Sequence, residues 1–108
     1  MTVTDTYGTS THTAQQLADL LAERLPAIFV ELDSHYFGVY FLATFADATR
    51  IKVQPNTVPG DDGEDDLLED DHPDMSVLLI VTAPAEAQLL STELAAVDGL
   101  TRLRTSRS

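Results

Sequence analysis

The sequence predicts an α+β fold, a two-layer sandwich with two helices on one face of a mainly antiparallel sheet of four to five strands. Three features point to it. Two segments carry apolar residues at helical spacing, several short segments alternate or run apolar like strands, and the first three of these are joined by connections short enough for hairpins. The order is αββββαβ, or αβββ-loop-βαβ when the long loop is written out. With 108 residues the chain has room for one domain and one core. We divide it into a flexible N-terminal arm over 1–12 and a single α+β domain over 13–108, with an acidic loop over 55–74.

The arm, polar and Thr-rich, has neither the basic flank nor the apolar stretch of a signal peptide. Thr13-Ala-Gln-Gln16 then offers a capping box, in which the Thr13 hydroxyl and the Gln16 amide satisfy each other's backbone N–H groups. The helix it opens carries Ala14, Leu17, Ala18, Leu21 and Leu25 on one stripe and stops at Pro26.

Three strands follow. Ile28, Val30 and Leu32 alternate with Phe29, Glu31 and Asp33. Phe37, Val39, Phe41, Ala43 and Phe45 alternate with Tyr36, Gly38, Tyr40, Leu42 and Thr44, and Ile51 and Val53 alternate with Arg50, Lys52 and Gln54. The links Asp33-Ser34-His35 and Ala46-Asp47-Ala48 suit hairpin loops, so an antiparallel meander is expected, closed by Pro55. After the long loop, Met75 to Val81 is almost wholly apolar, as a central strand buried on both faces should be. Ala83-Pro84 opens a second helix with Leu90, Leu94 and Val97 on its buried stripe and Asp98-Gly99 at its end. The remaining residues form a basic edge strand, with Arg102 and Arg104 on one face and Leu103 on the other.

Charge is distributed unevenly. The chain has 18 acids against 6 bases, a net charge of −12, and nine of the acids lie between Asp61 and Asp74 with no base among them. Without that window 9 acids face 6 bases, a net of −3, so the acidity is a local device. It disfavours direct contact with nucleic acid or an anionic membrane, both polyanions, and leaves basic proteins as partners. One lysine against five arginines, with thirteen threonines, fits a halophilic or GC-rich source. The longest apolar runs are far short of the roughly 18–20 residues of a membrane span, so a cytoplasmic location, or a virion if the source is viral, is expected.

Catalytic and cofactor signals are weak. Cysteine is absent, which removes thiolate ligands, disulfides and cysteine nucleophiles. No phosphate loop, dinucleotide fingerprint or zinc spacing occurs. Asp33, Ser34 and His35 have the residue types of a hydrolytic triad, but sequence neighbours point in different directions and make no relay. The acidic surface formed by Asp61, Asp62, Glu64, Asp65, Asp66, Glu69, Asp70, Asp71 and Asp74 suits a cloud of hard cations. Its spacing is not that of an EF-hand, and we expect no fixed metal and no cofactor. A catalytic carboxylate pair needs one desolvated member, and this block has too little apolar context to provide it. The expected protein is not an enzyme.

Assembly is signalled by the second strand, apolar or aromatic on both faces while two helices can cover only one. Tyr36, Tyr40 and Leu42 therefore form a candidate interface. Arg102, Arg104 and Arg107 add a basic patch opposite in sign to the loop. Complementary patches at different places on one subunit join copies head to tail into rings or filaments.

The element order over Thr13 to Thr105 resembles the small tail-terminator and tail-completion proteins of long-tailed viruses. That resemblance implies a ring at the head-proximal end of a tail tube, with Tyr36, Tyr40, Leu42 and the arginine-bearing last strand facing neighbouring subunits. The acidic loop would then face the lumen or a docking partner. The leading expectation is a non-enzymatic, self-assembling structural protein of a virion tail or neck, whose partners are itself and other proteins. The alternative is an acidic inhibitor, an immunity-type or nucleic-acid-mimicking protein whose carboxylates occupy a basic site.

Overall fold

A computed structural model describes residues 2–25, 28–34, 38–45, 48–59, 65–67, 72, 74–84 and 88–107. The fold is α+β: the described residues form two helices and an antiparallel main sheet of six strands, one more than the upper expectation. The strands are β1 (Val3–Thr9), β2 (Val30–Ser34), β3 (Gly38–Thr44), β4 (Arg50–Pro55), β7 (Val77–Ala83) and β8 (Thr101–Arg107), arranged β2-β3-β4-β7-β1-β8. Helix α1 spans Ala14–Arg24 and α2 spans Gln88–Ala95. Two short strands, β5 (Thr57–Pro59) and β6 (Asp65–Leu67), pair with each other in a second sheet.

Local chemistry fixes α1. The Gln16 N–H donates to Thr13 Oγ1 at 3.1 Å and the Thr13 N–H donates to Gln16 Oε1 at 2.9 Å, so the expected capping box is present. Leu17, Ala18, Leu21 and Leu25 are buried, and Arg24 stands in the last turn, where a cation suits the helix dipole. Each fully buried leucine contributes about 1.5–3 kcal/mol.

Both helices share one core. Leu17, Leu21, Leu90 and Leu94 cluster with Tyr7, Phe41, Ala43, Ile51, Val53, Val77, Leu79 and Val81, which share one face of the sheet. As expected, β2, β3 and β4 form a meander and β7 lies at the centre, between β4 and β1. Leu78 and Leu79 are both fully buried, as a strand covered on both faces requires.

The N-terminal segment is not a free arm. Val3–Thr9 pairs antiparallel with β7 over its whole length and with β8 on its other side, and Val3, Thr6, Tyr7 and Thr9 are buried. The reason is positional: β8 is not hydrogen-bonded to β7, so β1 is the strand that joins it to the sheet. The long acidic segment is not loop throughout, because β5 and β6 pair within it. Ala83, expected at the start of the second helix, instead closes β7 opposite Val3.

The last strand differs in phase. Register shifts between Thr6 and Tyr7, so that Arg104 lies opposite Thr6 and Arg102 opposite Tyr7. One extra residue on β8 thus places Arg102 with the helix-side residues and Arg104 on the other face, whereas simple alternation had put them together. Leu103 packs towards Gly8, where an added Cβ would come within 2.9 Å of Leu103 Cδ1 and 2.8 Å of Met75 Cγ.

Candidate functional site

Among the described residues, exposure of large apolar side chains is concentrated at one end of the sheet. Ile28 is 85 % exposed, Val30 54 % and Val39 46 %, and all three belong to the β2–β3 hairpin or the residues leading into it. Val30 lies opposite Leu42, and Leu32 opposite Tyr40, on the face turned away from the helices. Leu32, Tyr40, Leu42 and Ile80 are half-buried there. Of the expected interface residues, Tyr40 and Leu42 therefore stand half-buried on the face turned away from the helices, and Tyr36 lies outside the described residues.

Lys52 sits among them. Its ammonium is 5.4 Å from the centre of the Tyr40 ring, within cation–π range, while burial pulls its pKa below the usual 10.5. On the same face Gln54 and Leu78 lie side by side, fully buried. Neither the Gln54 Nε2 nor its Oε1 has a hydrogen-bond partner among the described residues.

On the helix side, a groove runs between α1 and β2, lined by Ala18, Asp19, Ala22, Ile28, Phe29 and Glu31. A second groove, between α2 and β8, is lined by Tyr7, Ser91, Thr92, Ala95, Leu100 and Arg102. The two helices leave one such groove at each end of the sheet.

Three of the six basic residues stand at the opposite edge from the apolar patch. Arg102, Arg104 and Arg107 are exposed on β8, with Arg107 opposite Val3 and Thr105 opposite Asp5. The Thr105 hydroxyl donates to Asp5 Oδ1 at 2.6 Å. Exposed acids mark the other edge: Glu31 lies opposite Phe41 and Asp33 opposite Val39, on the helix side of β2. Sequence reasoning missed this pair because it read the segment only as the first strand of a meander and assigned it no edge. The alternation of acids with Val30 and Leu32 was the available signal.

The acidic run is only partly described. Asp65 and Asp66 lie in β6 and Asp74 is exposed in a turn, while Asp61, Asp62, Glu64, Glu69, Asp70 and Asp71 fall outside the described residues. The segment is tied at its base. Buried Asn56 donates from Nδ2 to the Met75 carbonyl at 2.7 Å and the His72 carbonyl at 3.1 Å, and its N–H donates to the Ser76 carbonyl at 2.9 Å. The chain thus leaves the main sheet after β4 and returns before β7 at one fixed point. Among the described residues no three His, Asp or Glu side chains gather as a metal site, and no helix is long and apolar enough to cross a membrane. His35 of the Asp33, Ser34, His35 run lies outside the described residues.

The arrangement is thus an apolar, acid-edged end of a sheet set against a basic end, with a helix-side groove at each. Comparison with family models, curated proteins and solved structures gave no match, so the reading of function rests on these surfaces.

Proposed function

We propose that this chain is a non-enzymatic structural subunit that assembles with copies of itself, and that its setting is the tail or neck of a long-tailed virus. The observation that carries self-assembly is the gathering of Ile28, Val30 and Val39, the exposed large hydrophobic residues among those described, at one end of the sheet. Scattered exposed apolar residues are ordinary, but Val30 beside half-buried Leu32, Tyr40 and Leu42 on one face, with Ile28 and Val39 on the helix side of the same end, supplies apolar area of the kind interface cores are made of. The viral setting rests on the order helix, meander, helix and closing strand. The additional strand β1 is a departure from that order.

Light scattering after size exclusion tests the reading. The expected result is a discrete multiple of the 11.8 kDa chain. A monomer at both low salt and about 1 M salt, where screening shortens to about 3 Å, would remove the reading.

One observation favours the alternative of an acidic inhibitor: part of the acidic run is built into the β5–β6 hairpin, anchored through Asn56 and separate from the main sheet. Acidic residues held on a strand pair outside the main sheet suit a basic site on another protein. Deleting residues 61–74 separates the two readings. A self-assembling subunit keeps its number of copies, whereas an inhibitor loses its partner.

A further inference from the structure

The main sheet ends in two strands whose outer edges no described strand pairs with, β2 on one side and β8 on the other. We infer that β8 of one copy pairs antiparallel with β2 of the next, so that the six-stranded sheet continues head to tail through a ring or run of identical subunits. This rests on the self-assembly reading above and names its contact.

Strand direction permits it. Every neighbouring pair in the sheet is antiparallel, so with six strands β2 and β8 run in opposite directions. A second copy placed beside the first in the same orientation continues the alternation. Neither Val30–Ser34 nor Thr101–Arg107 contains proline, so every residue in both keeps the N–H that a new ladder needs.

Charge selects this joint over its competitors. Two-fold joints, β2 to β2 or β8 to β8, would also be antiparallel, but they would set Glu31 and Asp33 against themselves or three arginines against three. Like charges across a ladder destabilise it and opposite charges support it. The two sets also share a face. Glu31 and Asp33 lie on the helix side of β2, as Arg102 and Arg107 do on β8. With Asp33 opposite Arg102, Glu31 falls opposite Thr105 and diagonal to Arg107, about 7–8 Å away and within reach of long side chains.

The apolar residues agree. On the other face, exposed Val30 and half-buried Leu32 meet the edge that carries half-buried Leu103. On the helix side, α2 of one copy comes beside α1 of the next. The groove holding Ile28 and Phe29 then merges with the one formed by Tyr7, Ala95 and Leu100.

The test uses two charge-swapped full-length chains, one with Glu31→Arg and Asp33→Arg, the other with Arg102→Glu and Arg107→Glu. The first has two basic edges and the second two acidic ones. Light scattering at low salt should give 11.8 kDa for each alone, with wild-type circular dichroism, and a return to the higher wild-type mass when they are mixed in equal amounts. If each variant alone keeps the wild-type mass, copies meet through another surface, and the edge joint is wrong while self-assembly stands. A folded pair that stays monomeric on mixing overturns the joint as well. A monomeric wild type overturns self-assembly itself. Should a swap fail to fold, Asp33→Cys with Arg102→Cys replaces it, since the chain has no cysteine of its own. A ladder of disulfide-linked multimers on a non-reducing gel supports the joint, and its absence under oxidation from a wild type shown to be oligomeric rejects it.

Discussion

Gln54 is fully buried, and its side-chain amide has no partner among the described residues. An unsatisfied buried polar group costs about 1–3 kcal/mol, and replacing it with an apolar group of similar shape removes that cost. Methionine matches glutamine closely in length and volume. Gln54→Met should therefore raise stability by about 1 kcal/mol or more, seen as a higher urea midpoint with an unchanged slope. A lower midpoint would mean that the amide is satisfied and that its place between Leu78 and β3 is a polar requirement. The same residue shows how far sequence carries. Alternation put Gln54 opposite in phase to Val53, as found, but its complete burial depends on neighbours far along the chain.

Among the elements, α1 and β1 mark the two extremes of legibility. Helix α1 is written in contiguous residues: Thr13 and Gln16 cap it, Leu17, Ala18 and Leu21 bury it, and the sequence places it within a residue or two. Strand β1 has little local signal, because threonine, aspartate and glycine fill five of its seven places and leave only Val3 and Tyr7 apolar, and what stabilises it is distant. Its partners are β7 and β8, from residue 77 to residue 107. The bulge that parts Arg102 from Arg104 is invisible for the same reason, being set by the fit of β8 onto β1. Of the candidate interface, Tyr40 and Leu42 were legible from an apolar strand with two faces, while the acidic edge at Glu31 and Asp33 required the strand order. Removing residues 2–9 is accordingly expected to do more than trim an end. It takes away the strand that attaches β8 and uncovers one side of β7, so the truncated chain should lose cooperative unfolding. If the truncation keeps the wild-type melting temperature by circular dichroism, β1 is an ornament and the sheet closes without it.

For the molecule as a whole, the dominant quantity is a net charge of −12 with nine acids between Asp61 and Asp74. Crowded carboxylates repel, and salt screens them, since the screening length falls from about 10 Å at 0.1 M to about 3 Å at 1 M. Both ends of the acidic segment meet at Asn56, and that clamp confines the charge to the folded state. Wild-type stability should therefore rise with salt. A variant with Asp61, Asp62, Glu64, Glu69, Asp70 and Asp71 changed to their amides carries −6 instead of −12 and should rise less. At low salt it should melt higher by several degrees, since about 1 kcal/mol moves a domain of this size by about 4–8 °C. The edge charges respond in the opposite sense. Glu31 and Asp33 against Arg102 and Arg107 attract, so salt that stabilises the fold should loosen the joint between copies. Melting temperature and solution mass, followed together from 0.1 M to about 1 M salt, should move in opposite directions in the wild type. In the amide variant the mass should still fall while the melting temperature holds nearly constant. If mass and stability instead rise together with salt, apolar contact through Val30, Leu32 and Tyr40 outweighs the charged edges in holding copies together.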